Sequence, residues 1–137
     1  MLQGRLIAES CTPGVDIQVP ELRLVRFGRH DVTESTKPAD ERDASHTPGV
    51  VSGQPSIWTF VDFEGPNEIA VELAQALADA LQPDLGWWAD FTIDDVERVV
   101  VFAGKVFRYR VGDVSASAEA KAWGLAHGTP AAQLDWR

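Results

Sequence analysis

The chain of 137 residues carries a formal net charge of −9, and 45% of its residues are hydrophobic. This length and composition predict one globular domain over 1–137 with a substantial apolar core. The acidic balance argues against binding to nucleic acid phosphates or to an anionic membrane surface. It leaves open a protein partner, self-association or a small-molecule ligand.

The N-terminus and the cysteine content favour a cytoplasmic protein. Met1–Arg5 shows no basic-then-apolar leader, and the longest plain apolar run, Val99–Ala103, is far too short to span a membrane. Cys11 is the only cysteine, whereas secreted domains of this size more often carry an even set. The spacings typical of metal sites, phosphate loops and nucleophile elbows are missing, so we expect no metal and no cofactor.

The first half of the chain predicts three strands and one helix. Alternating apolar and polar residues indicate strands at Leu2–Glu9, Leu22–Val32 and Ile57–Glu64. Between the second and third strands, residues at about 33–56 are polar and aperiodic, which predicts a long flexible loop. An apolar stripe over Ile69–Leu81 lies opposite a polar stripe and predicts an amphipathic helix.

The second half repeats this order. Strands are predicted at Gly86–Thr92, Glu97–Ala103 and Lys105–Val111, followed by an Ala-rich helix at Ser115–Ala126. The βββαβββα order predicts the α+β class, with one mixed or largely antiparallel sheet and two helices mainly on one face. The first helix permits a crossover that makes the strands on either side of it parallel. The C-terminal tail is expected to dock through apolar residues that include Trp136.

Two similar aromatic strands, Trp58–Glu64 and Gly86–Phe91, carry carboxylates in their middle. A carboxylate in a half-buried strand costs free energy unless it is paired or solvated. Strand alternation predicts one nearly apolar face under the helices, which includes Phe107 and Tyr109, and a mixed face that combines large apolar groups with both signs of charge. The mixed face is assigned Trp58, Phe60, Asp62, Glu64, Trp88, Asp90, Arg98, Val100, Phe102, Val106, Arg108 and Arg110.

Three interpretations of the mixed face stay open. In the first, its acids form cross-strand ion pairs with its arginines. In the second, its aromatic residues and arginines bind a protein partner or a second copy, because these residue types dominate interface energetics. In the third, Asp62 and Asp90 lie side by side in an aromatic pocket, so that one serves as a general acid and the other as a general base. The binding surface comprises Trp58, Phe60, Trp88, Arg98, Phe102, Arg108 and Arg110, and the catalytic candidates are Asp62, Glu64 and Asp90.

Three stretches of the chain, Trp58–Phe63, Val100–Arg110 and Gln133–Trp136, resemble a small family of uncharacterised actinobacterial proteins. The resemblance implies no activity and no site residues, and it agrees with a composition typical of a GC-rich bacterial genome. The preferred function is a small acidic cytoplasmic binding or accessory protein that acts through the mixed face, for example as an inhibitor or immunity-type protein, and that is not an enzyme. The alternative is a small-molecule-binding protein or an enzyme that uses the paired carboxylates in an aromatic pocket.

Overall fold

Six strands and two helices form the described part of the chain, which in the computed structural model comprises residues 1–33 and 54–136. The strands are β1 (Leu2–Ile7), β2 (Arg23–Asp31), β3 (Ile57–Gly65), β4 (Trp88–Ile93), β5 (Glu97–Phe102) and β6 (Lys105–Arg110). The helices are α1 (Ala70–Ala80) and α2 (Val114–Ala126). The βββαβββα order and the α+β class are confirmed, whereas the predicted loop at about 33–56 lies largely outside the described residues.

The helices begin and end where their sequences predict. In α1, Ala70, Leu73 and Leu77 are buried at the spacing of one helical face, and Pro83 follows its last turn. At the start of α2, the Asp113 carboxylate accepts a hydrogen bond from the backbone N–H of Ala116 at 3.0 Å. This contact satisfies one of the backbone donors that a helix N-terminus leaves free.

All six strands belong to one sheet in the order β2-β3-β1-β4-β5-β6. Every hydrogen-bonded strand pair in it is antiparallel. Because β1 is antiparallel to both of its neighbours, β3 and β4 run parallel to each other with β1 between them. The crossover through α1 is therefore present, but the two parallel strands that it joins are not adjacent.

The two helices pack on opposite faces of the sheet. Val99 of β5 lies in the same core cluster as Leu73 of α1, whereas the next residue, Val100, packs with Ala120 of α2. Successive side chains of a strand point to opposite faces, so α1 covers one face, hereafter the α1 face, and α2 lies on the mixed face. The two helices were expected mainly on one face of the sheet, whereas in the structure they lie on opposite faces.

A tight turn explains why the phase of β6 was predicted wrongly. Only two residues separate β5 from β6, so that Phe102 pairs with Lys105. This register places Phe107 opposite Val100 on the mixed face. Phe107 and Tyr109 therefore pack under α2. Arg108 and Arg110 lie on the α1 face with Glu97, and their assignment to the mixed face is wrong. The same correction applies to Tyr109, which lies on the mixed face, and to Val106, which lies on the α1 face.

The helix α2 and the C-terminal tail cover only one part of the mixed face. Trp136 docks there as predicted and donates from Nε1 to the Tyr109 hydroxyl at 2.6 Å. Over β1, β2 and β3 the mixed face keeps exposed side chains, among them Arg5 and Arg26. Neither helix in residues 1–33 and 54–136 is long and apolar enough to cross a membrane.

Candidate functional site

A row of alternating charges crosses the mixed face. Strand register places Arg26 of β2 beside Asp62 of β3, and Asp62 beside Arg5 of β1. Asp90 of β4 follows on the other side of Arg5, and Arg98 of β5 donates a hydrogen bond to it. Arg5 donates from Nε and Nη2 to the two oxygens of Asp62 at 2.6 and 3.1 Å. These five residues, hereafter the charge row, link five of the six strands.

The pKa values of the two acids of the charge row are shifted in opposite directions. The hydrogen bonds from Arg5 lower the pKa of Asp62, and the charge of Arg26 acts in the same direction. Burial raises the pKa of Asp90, although Arg98 and Arg5 oppose the shift. Since β1 separates their strands, the backbones of the two acids lie two strand spacings apart, about 10 Å. Asp62 and Asp90 are therefore not on adjacent strands, and Arg5 lies between them.

The ion pairs of this face agree only in part with those predicted. The pair between Asp90 and Arg98 is present as expected. Glu64 has Arg23 of β2 as its partner, with 3.5 Å between Nη1 and Oε1, rather than an arginine of β6. The carboxylates of this face therefore have structural partners, which supports the first of the three interpretations of the sequence.

A cavity of about 220 Å³ opens between the sheet and the C-terminal tail. Aromatic rings from β3 and from the start of β4 form its walls, and Arg5 lies at its rim. The rings are those of Trp58, Phe60, Trp87 and Trp88, and Asp90, Gln133 and Asp135 are among the polar lining residues. This space, hereafter the aromatic cavity, brings together three residues of the predicted binding surface.

Contacts between the rings hold the walls in place. The ring centroids of Trp58 and Trp87 are 5.5 Å apart, and Phe60 meets Trp58 edge-on at 6.3 Å. These distances lie in the range in which aromatic pairs attract each other. Trp88 donates from Nε1 to the Gln133 side chain at 3.2 Å, which fixes the tail against the sheet.

A close backbone approach also positions the tail. Gly86, with φ of +69°, lies so near Gly128 that a Cβ atom there would come within 2.3 Å of the Gly128 backbone. The Thr129 hydroxyl donates to the carbonyl oxygen of Gly86 at 2.8 Å. Only glycine fits this position, because it has no Cβ and adopts positive φ without steric cost.

Arg5 is a fixed cation at the rim of the aromatic cavity. Its guanidinium lies 4.6 Å from the centroid of the Phe60 ring, a distance that permits a cation–π contact. The hydrogen bonds to Asp62 raise the pKa of Arg5 further above its already high value. The guanidinium therefore stays charged, and its two hydrogen bonds to Asp62 orient it.

Two buried hydrogen-bond donors of the cavity walls have no partner. Among the described residues, neither the indole N–H of Trp58 nor that of Trp87 reaches an acceptor. A buried donor without a partner costs about 1–3 kcal/mol. Such groups are rare in folded proteins and call for an explanation when they occur. Both belong to residues that line the aromatic cavity.

The structure places the predicted binding residues in different environments. Trp58, Phe60 and Trp88 meet at the aromatic cavity, and Arg98 supports it by holding Asp90. Phe102 is buried, because Gly124 of α2 allows the helix backbone to approach its ring. Its assignment to an accessible surface is wrong. The two β6 arginines are exposed but lie on the α1 face, so their assignment to this binding surface is also wrong.

Sequence reasoning missed Arg5, Trp87 and the tail residues as parts of the site. Arg5 alternates in phase with Ile7, which also lines the cavity, so its face was readable from the sequence. The position of β1 between β3 and β4, which brings Arg5 to the two acids, has no local sequence signal. Trp87 precedes β4 and was not among the residues assigned to the mixed face.

No protein-family model, curated protein or solved structure matches this chain. The resemblance to an actinobacterial family therefore stays a prediction. Within the described residues, no group of three or more His, Cys, Asp or Glu side chains is placed to hold a metal ion.

Proposed function

We propose that this chain is a non-catalytic binding protein and that its ligand occupies the aromatic cavity. The observation that carries the proposal is the pair of partnerless, buried indole N–H groups on Trp58 and Trp87, two of the aromatic residues that line the cavity. Both N–H groups are buried, so a ligand with acceptor atoms would satisfy them once the neighbouring side chains move aside, and flat rings would stack on the walls. The ligand class is a flat aromatic small molecule with hydrogen-bond acceptors.

The size of the cavity limits the ligand. Sites for drug-sized molecules measure roughly 300–1,000 Å³, and this cavity measures about 220 Å³. One or two fused rings match that space better than a larger molecule does. The aromatic and aliphatic lining supplies most of the contact area, as is usual in small-molecule sites.

The charges around the cavity favour a neutral ligand. Arg5 is already bound to Asp62, and Asp90 is bound to Arg98. Asp135 is exposed and adds a negative charge at the lining. The carboxylates of Asp90 and Asp135 would repel an anion, and Arg5 would repel a cation. A charged ligand therefore gains less binding free energy than a neutral one.

The charge row is the reason for proposing binding rather than catalysis. Asp62 and Asp90 each have a guanidinium partner, and Arg5 lies between them. Glu64 is close to Arg23 and is not among the residues that line the cavity. Proton transfer needs a group within hydrogen-bond reach of the substrate and free to change its charge, and these pairings oppose that role.

The predicted protein partner or second copy at the mixed face stays a prediction, as does the cytoplasmic location. The area available to such a partner is smaller than expected, because Phe102 is buried and the β6 arginines lie on the α1 face. The accessible part lies over β1, β2 and β3, where Arg5, Arg23 and Arg26 are exposed. The cavity is the feature of this face with the more specific chemistry.

The test uses two probes of the same shape. Quinoline carries a ring nitrogen that accepts a hydrogen bond, whereas naphthalene has none. We expect quinoline to shift the indole N–H resonances of Trp58 and Trp87 in two-dimensional NMR spectra and to bind about five- to tenfold more tightly, the equivalent of one hydrogen bond. Replacement by phenylalanine assigns each resonance and removes the donor while keeping a ring.

The control is Trp123→Phe, which removes an indole of α2 that does not line the aromatic cavity. It should leave the preference for quinoline unchanged, whereas Trp58→Phe combined with Trp87→Phe should abolish it. Equal affinities for the two probes, or shifts spread evenly over all indole resonances, would contradict the proposal.

A further inference from the structure

The strand β2 presents an open edge of the sheet. In the described residues it pairs with β3 on one side and with no strand on the other. Its apolar residues Leu24 and Phe27 are 69% and 73% exposed. An edge strand offers a row of backbone donors and acceptors that another extended chain can pair with, and exposed apolar groups along it favour an interface.

The same strand is basic within an acidic protein. Arg23, Arg26 and Arg29 lie in its nine residues, although the chain carries a net charge of −9. The side chains of Arg23 and Arg26 are 74% and 54% exposed, and their ion pairs on β3 are long, at 3.5 and 3.8 Å. Exposed pairs of this kind contribute little, so both guanidinium groups can bind a further acid.

The alternation of β2 defines what an added strand would need. Its register with β3 places Arg23 and Arg26 on the mixed face and Leu24 and Phe27 on the α1 face. A strand that pairs with β2 and accommodates the register shift between Leu24 and Arg26, as β3 does, sets its own side chains in the same alternation. Acidic residues would lie beside the arginines, and apolar residues beside Leu24 and Phe27.

We propose that the open edge of β2 binds an extended segment of a partner protein in which acidic and apolar residues alternate. Backbone hydrogen bonds would supply affinity, and the arginines and apolar side chains would supply specificity, as in other cases of strand addition. This interface is separate from the aromatic cavity, because no residue of β2 lines it.

Charge favours an acidic partner over a second copy of this chain. Pairing of two β2 strands would bring two sets of three arginines together, and like charges on neighbouring strands destabilise the pair. The irregularity between Leu24 and Arg26 also disturbs the pairing of two identical edges. The arginines therefore discourage self-pairing and attract an acidic strand.

The probe is a fluorescently labelled peptide of alternating glutamate and valine, with the nine-residue length of β2. We expect saturable binding to the full chain by fluorescence anisotropy, weaker at high salt because the attraction is screened. Arg23→Gln combined with Arg26→Gln should weaken binding at least about fivefold. The matched control, Arg108→Gln with Arg110→Gln on β6, should change it by less than about twofold.

Two control peptides test the mode of binding. A lysine–valine peptide should not bind, and a glutamate–valine peptide with proline at its centre should bind at least about tenfold more weakly, because proline cannot donate to the ladder. Equal binding of the proline peptide, or no effect of the β2 substitutions in a variant with an unchanged melting curve, would overturn the proposal. A dimer in sedimentation that Phe27→Ser dissociates would also overturn it, in favour of a second copy.

Discussion

Arg5→Met tests whether the charge row stabilises the centre of the sheet. The substitution removes the two hydrogen bonds from Arg5 to Asp62, at 2.6 and 3.1 Å, and keeps a side chain of similar length. Among the described residues, Asp62 would then keep Arg26 as its one cationic partner, at 3.8 Å. Methionine preserves most of the contact with Phe60, so the measurement reports mainly the lost charge.

The expected loss of unfolding free energy lies between the values for exposed and for buried ion pairs. Exposed pairs contribute about 0–1 kcal/mol, and breaking a buried pair costs about 3–5 kcal/mol. Arg5 is 43% exposed and Asp62 is 19% exposed, so solvent screening reduces the loss to about 1–2 kcal/mol. For a domain of this size that corresponds to a fall in Tm of roughly 4–8 °C.

The pH dependence gives the sharper test. Since Arg5 lowers the pKa of Asp62 in the folded state, the pair stabilises the fold above the unfolded pKa, and this contribution is lost as pH falls through the folded pKa. The difference in unfolding free energy between the wild type and Arg5→Met should therefore shrink from pH 7 toward about pH 3.

Urea denaturation across that pH range provides the assay, with Arg108→Met as the control. Arg108 pairs with Glu97 at 2.8 Å, but both side chains are well exposed, so its loss should be smaller than that of Arg5. A loss no larger than that of the control, or a difference that stays constant on acidification, would refute the structural role of the pair between Arg5 and Asp62.

Three further substitutions test other parts of the structure by urea denaturation. Asp90→Asn should cost about 2 kcal/mol by leaving Arg98 without its partner, and adding Arg98→Met should recover part of that loss; no recovery would contradict the pairing. Gly86→Ala should cost at least about 2 kcal/mol more than Gly104→Ala, since both have similar positive φ but only Gly86 meets the tail. Phe102→Ala should cost about 3–5 kcal/mol as a core residue, and a loss below about 1 kcal/mol would contradict its burial.

Local patterns in the sequence predicted the elements well. The apolar stripe over Ile69–Leu81 became α1, at Ala70–Ala80, because its period matches one helical face. The aromatic run from Ile57 became β3, whose alternation set Asp62 and Trp58 on one face. These features depend on neighbours within a few residues, which a single sequence contains.

Local patterns did not predict the order of the strands or the length of the turn between β5 and β6. Strand order decided that Arg5, not an arginine of β6, lies between the two acids, and contacts between distant segments leave no periodicity to detect. A two-residue turn reversed the phase of β6, because a change of one residue in a hairpin moves every side chain to the other face. The position of α2 followed from the same turn, since it set Phe107 and Tyr109 on the mixed face.

The arrangement of the mixed face connects stability with the proposed site. The charge row links five strands next to the aromatic cavity, and the tail closes the cavity through Gln133. Among the described residues, the indole N–H groups of Trp58 and Trp87, which line this cavity, have no hydrogen-bond partner. Two such donors cost about 2–6 kcal/mol together, a large part of the stability of a small domain. A ligand that accepts hydrogen bonds from these donors, as the proposed function requires, would remove part of that cost.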